Sequence, residues 1–118
     1  MMRNLLYGAV ILSTLALSRA IAQQPPAAFA ACSACHSSDG ANGVGPTLKG
    51  IYGRKSGSVG GFAYSRAMRG AGLTWDEKSL DAFLADPQKA VPGNHMPFPG
   101  VPDAEQRAEV IDYLKTVR

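Results

Sequence analysis

An all-α domain, with a few short helices joined by long loops, is the fold class this sequence predicts, on three observations. Apolar residues recur at helical spacing after Asp76 and again after Asp103. No stretch alternates apolar and polar residues long enough to demand a sheet. The intervening segments are rich in Gly, Pro, Ser and Asn, and such long loops in a small domain call for something at the centre to wrap around.

The elements follow in order. Residues 1–22 stand outside the fold: Arg3 makes a basic start, residues 5–17 a short apolar stretch, and Ala20-Ile21-Ala22 a small-x-small cleavage signature. The apolar stretch is shorter than the roughly 20 residues a membrane span requires. A cleaved export signal is therefore expected, with an uncleaved anchor or interfacial helix as the alternative and Arg19 as the awkward residue near the cut. Residues 23–118 remain as one domain, too short to be two. Arg3 and Arg19 leave with the signal, so 12 basic against 9 acidic residues become 10 against 9, a net charge of +1. With no run of Lys and Arg among aromatics, nucleic-acid binding is not expected. Nor is stable membrane insertion after cleavage.

Pro25-Pro26 suits a helix start, where a missing N–H costs nothing, and a helix of small residues is predicted over 27–35. Residues 37–61 read as loop, with Ser, Asp and Asn giving way to repeated Gly. A short helix over 65–71 should stop at Gly72. Thr74-Trp75-Asp76-Glu77 reads as a capping box for a helix carrying Leu80, Phe83 and Leu84 on one face. Asp86, preceding Pro87, should end it, and residues 87–102 should form a Pro/Gly-rich loop. Asp103 caps a last helix, with Gln106 spaced to reach back. Its stripe is Arg107, Val110, Ile111, Leu114 and Val117.

The chemistry lies in Cys32-Ser33-Ala34-Cys35-His36, a C-x-x-C-H haem-attachment signature. On a helix the two thiols and the imidazole fall at i, i+3 and i+4, on one face. Two thiols can then bond a porphyrin edge while the imidazole reaches the iron. A thioredoxin-like redox pair would want a βαβ setting, which is absent. A zinc site needs about four ligands, and His95 is the only other histidine. A disulfide across two helical residues would be strained.

With that motif stand Gly45-Pro46-Thr47-Leu48, Gly50-Ile51-Tyr52-Gly53-Arg54-Lys55, Gly61-Phe62-Ala63-Tyr64-Ser65, Leu73-Thr74-Trp75 and Pro92-Gly93-Asn94-His95-Met96. In this order, and with the last helix, they resemble class I c-type cytochromes over residues 27–118. The resemblance implies the cytochrome c fold, three to five short helices and long loops around one covalent haem c, held through Cys32 and Cys35. It makes His36 and Met96 the axial iron ligands. It gives Pro46 the carbonyl that accepts the His36 N–H, and Arg54, Tyr64 and Trp75 the task of holding a buried haem propionate. Met96 lies 60 residues after His36 in a loop stiffened by Pro92, Pro97 and Pro99.

The sequence departs from the family where Phe83 replaces a tyrosine beside the methionine sulfur and Met68 a common asparagine. Gln88 and His95 stand where lysines often ring the haem edge. The function implied is a periplasmic single-electron carrier rather than an enzyme, expected to be monomeric. It would take electrons from a dehydrogenase or membrane reductase and pass them to an oxidase or other acceptor. The alternatives are an electron-accepting subunit bound tightly to a periplasmic dehydrogenase, or a haem peroxidase or sensor with a labile methionine.

Overall fold

A computed structural model describes residues 23–118; the expected export signal lies outside the described residues. Extended Pro26 turns the chain into one 3-10 turn, Ala27–Phe29, which runs directly into helix α1, Ala30–Ser33. The predicted helix thus ends two residues early as regular α-structure. Its hydrogen bonding persists, because His36 N–H donates to the Cys32 carbonyl (3.0 Å) and Cys35 N–H to the same oxygen (3.1 Å). Only small side chains precede Cys32 apart from Phe29, which is buried and meets Tyr113 edge-on at 4.7 Å. Such a pair adds about 0.5–1.5 kcal/mol beyond area burial and ties the N-terminal turn to the last helix.

The predicted short helix is α2, Arg66–Gly70, capped by the Ser65 hydroxyl on the Met68 N–H at 3.0 Å. Helix α3 spans Glu77–Ala85 and has a capping box two residues later than the sequence suggested, Asp76 with Ser79 in place of Thr74 with Glu77. Thr74 is unavailable because it is extended, in an antiparallel bridge with Lys55. The Asp76 carboxylate accepts from the Ser79 N–H, which holds its pKa below the usual carboxylate value.

The expected loop over 87–102 also needs correcting, since it begins with helix α4, Pro87–Ala90. Asp86-Pro87 is at once a stop and a start. Asp86 is extended, which ends α3, and its carboxylate then caps the Lys89 N–H at 3.2 Å. Pro87 occupies the first helical position, where its fixed φ is an advantage. Gly100 returns the chain at φ +111, so close to α3 that an added Cβ would collide with the Ala85 carbonyl. The Val101 N–H donates to the Leu84 carbonyl there at 2.7 Å.

Helix α5, Ala104–Leu114, is capped by the Asp103 carboxylate on the Glu105 and Gln106 N–H groups. The return bond expected from the Gln106 side chain is absent among the described residues. Val110, Ile111 and Leu114 of the predicted stripe are buried, and α5 packs on α3, whose Leu80, Phe83 and Leu84 complete the core. Val117 is buried beyond the helix end, and Arg107 leaves the stripe to bond Asp81 at 2.7 Å. No strand occurs among the described residues apart from the single bridge, so the all-α prediction holds.

Candidate haem site

The core does not close. A cavity of about 270 Å³ lies between the first turn, α2, α3, α5 and the loops, and its wall is overwhelmingly apolar. Of the eight residues singled out in the sequence, Cys32, Cys35, His36, Pro46, Tyr64, Trp75 and Met96 line it. Arg54 does not. Phe83 and Met68, the two departures from the family pattern, line it as well. Met68 is half-buried against the core, so a second thioether belongs to the same wall.

Cys32 and Cys35 are both free thiols, although only two residues separate them. Burial in apolar surroundings pushes the Cys32 thiol pKa up. Ser33 and Ala34, between them, are exposed, as the helical face requires. Among the described residues no three His, Cys, Asp or Glu side chains gather as a metal cluster would, which leaves the zinc reading without partner ligands.

His36 is held at both ends. Its backbone N–H closes the turn after α1 on the Cys32 carbonyl, and its ring Nδ1 lies 2.7 Å from the Pro46 carbonyl oxygen. A carbonyl can only accept, so Nδ1 carries the proton and Nε2 keeps the lone pair a metal would use. Gly45 makes this possible: a Cβ there would lie 2.5 Å from the imidazole Cε1. Pro46 is itself anchored through Thr47, which is buried. The Thr47 N–H donates to the Asn42 side-chain oxygen (3.0 Å), and its hydroxyl oxygen accepts from the Gly40 and Lys49 N–H groups. Sequence reasoning assigned Thr47 and Asn42 nothing; a buried threonine hydroxyl serving loop amides has no periodic signature.

Arg54 and Trp75, far apart in the chain, are brought together by backbone pairing. Trp75 N–H donates to the Arg54 carbonyl (2.8 Å) and Gly53 N–H to the Trp75 carbonyl (2.7 Å). The Trp75 ring packs on Phe83 at 5.0 Å. The Arg54 Nε is buried with no hydrogen-bond partner among the described residues, a donor suited to an anionic group. Tyr64 accepts the Val59 N–H on its hydroxyl (3.1 Å), which leaves its own proton free to donate. Burial raises the Tyr64 pKa, so that proton stays on.

Met96 projects from the loop after α4. Its N–H donates to the side-chain oxygen of buried Asn94 at 2.9 Å, whereas His95 is exposed at the cavity rim. Neither Asn94 nor Gln88, which also bonds this loop, was given a role from sequence. The signal available was a carboxamide two residues before the methionine.

These features fit a flat, largely apolar group with one or more anionic substituents: an open apolar slot, two thiols and an oriented imidazole on one wall, a thioether on the wall, and an unpaired buried guanidinium nitrogen on the residue paired with Trp75. The cytochrome c family model matches residues 26–118. Cytochrome c2 iso-2 of Magnetospirillum molischianum is 50% identical over 94 residues, covering 79% of this chain and 97% of the relative. Cytochrome c2 of Rhodoblastus acidophilus is 49% identical over 88 residues, 73% of this chain and 82% of the relative. Among solved structures, cytochrome cH from Methylobacterium extorquens superposes with a TM-score of 0.73 at 52% identity, covering 75% of this chain and 91% of that one.

Proposed function

Because the chain belongs to the cytochrome c family, an electron-transfer family built on one covalent haem c, we propose that it is a periplasmic single-electron carrier with His36 and Met96 as axial ligands. One observation carries the ligand reading: the imidazole, fixed by Pro46 with its Nε2 lone pair free, shares one apolar cavity with both thiols and Met96. When bound, the haem supplies the one-electron couple. The chain supplies attachment through Cys32 and Cys35, ring orientation through Gly45 and Pro46, and exclusion of water by the apolar wall. Hydrogen bonding of Nδ1 to a carbonyl raises the basicity of the imidazole as a ligand. Arg54, Tyr64 and Trp75 are assigned to a propionate. The unpaired Arg54 Nε and the free Tyr64 proton support that assignment, since a buried carboxylate needs charged and neutral donors.

With His36 and Met96 both bound, the iron would have no open position for a substrate, which is what separates a carrier from the peroxidase or sensor alternative. Reduced holo-protein at neutral pH is therefore expected to keep its spectrum under carbon monoxide. Ready formation of a carbon monoxide adduct would favour the sensor reading and overturn this one.

Export through residues 1–22 places the carrier in the periplasm, and no helix among the described residues is long and apolar enough to cross a membrane. We assign its partners to redox proteins, a dehydrogenase or membrane reductase on one side and an oxidase or other acceptor on the other, met by a monomer in brief encounters. Val44, 77% exposed at the cavity rim, offers them an apolar contact. Residues 23–118 net only +1, and Lys115 and Arg107 are spent on internal ion pairs with Glu77, Asp112 and Asp81. Electron-transfer rates with such a partner should then change little with ionic strength. A steep fall with added salt would show that Lys49, Lys55 and Lys89 act as a steering patch.

A further inference from the structure

Between α4 and Met96 lies a set of side-chain hydrogen bonds that the carrier reading does not use. Gln88, on α4, donates from Nε2 to the Asn94 carbonyl at 2.8 Å and accepts at Oε1 from the Gly93 N–H at 3.1 Å. Asn94, only 6% exposed, donates from Nδ2 to the Pro87 and Val91 carbonyls, both at 2.9 Å. Its Oδ1 accepts the Met96 N–H, also at 2.9 Å. Both carboxamides thus use donor and acceptor ends on backbone groups. Together they tie residues 93, 94 and 96 to the two ends of α4. His95, between the tied residues, is exposed, and its ring makes no hydrogen bond among the described residues.

We propose that Gln88 and Asn94 are positioning residues that hold this loop closed and present the Met96 sulfur, rather than the His95 imidazole, to the iron. The proposal rests on Met96 being the axial ligand. Drawing His95 inward requires the backbone on either side of it to rotate, which breaks the Met96 N–H bond to Asn94 and the two bonds to Gln88. Asn94 is buried, so its polar atoms would lose their partners away from water, and that is the costly part. Gln88 is on the surface and acts as the latch: its loss should leave the core intact and shift only the balance between closed and open loop.

The test is displacement of the methionine in oxidised holo-protein by added imidazole, followed through the long-wavelength iron–sulfur absorption. Imidazole enters only when the loop opens, so its apparent affinity reports the open fraction. Gln88→Ala is expected to bind imidazole about tenfold more tightly than the unsubstituted protein, from two lost hydrogen bonds. Gln88→Glu should also bind it more tightly, because a carboxylate cannot donate to the Asn94 carbonyl. Lys89→Ala, its neighbour on α4, should titrate like the unsubstituted protein, and all three should keep its helical circular dichroism when reduced. Unchanged imidazole binding by Gln88→Ala, or an equal shift in Lys89→Ala, overturns the proposal. Failure of the ligand reading looks different: the iron–sulfur absorption would be missing from the unsubstituted protein or would survive in Met96→Ala, and Met96→Ala would bind imidazole no better.

Discussion

Replacing Cys32 and Cys35 together by Ala is expected to yield an unfolded chain that is degraded in the cell. Both thiols line the cavity at the centre of the fold, and without covalent attachment nothing keeps that space filled. An empty cavity of about 270 Å³, at roughly 24 cal/mol per Å³, costs on the order of 6 kcal/mol. That is comparable to the entire stability of a domain this size, about 5–15 kcal/mol. The remaining core cannot compensate, because α3 and α5 bury one face against each other and turn Leu80, Phe83, Leu84, Val110 and Leu114 toward the slot as well. Circular dichroism and protease resistance of the double variant provide the measurement. A soluble, helical, haem-free protein would show that the polypeptide closes by itself and would refute the expectation.

Met96→Ala is expected to abolish the iron–sulfur absorption of the oxidised protein and to lower the reduction potential, while His95→Ala leaves both nearly unchanged. A thioether stabilises the reduced iron and raises the potential; a water or second imidazole in its place favours the oxidised state. The bond from the Met96 N–H to the side chain of buried Asn94, and the exposure of His95, give the contrast its physical basis. Spectra and redox titration of the two variants separate the outcomes. If His95→Ala raises the potential while Met96→Ala does nothing, the iron carries two imidazoles. If the absorption survives in Met96→Ala and vanishes in Met68→Ala, the sulfur comes from α2, whose methionine lines the same cavity.

Helix existence was legible from periodicity and capping residues: α3 and α5 carry spaced apolar residues, and Asp103 stands where the last cap forms. Two of the misreadings share a cause. Thr74 is a good cap by composition but is claimed by pairing with Lys55, and Asp86-Pro87 reads as a break although Asp86 caps the helix that Pro87 begins. In both places a long-range partner or a double role decides between local alternatives of nearly equal propensity. The haem motif was legible for the opposite reason. Three reactive side chains within five consecutive residues need only one helical turn to be brought together, and the chain supplies that turn locally.

By itself, then, the sequence determined the chemistry at one wall of the site, the positions of α2, α3 and α5 and the near-neutral charge of residues 23–118. All of these depend on residue type and on neighbours a few positions away. Tertiary structure alone decided that Arg54 pairs with Trp75 and keeps a buried, unpaired nitrogen, that Thr47 and Asn42 anchor the Pro46 loop, and that Gln88 and Asn94 tie the Met96 loop to α4. Loop carboxamides and hydroxyls have no period to read. Their partners are backbone groups at positions set by packing, so their roles exist only once the chain has closed around the site.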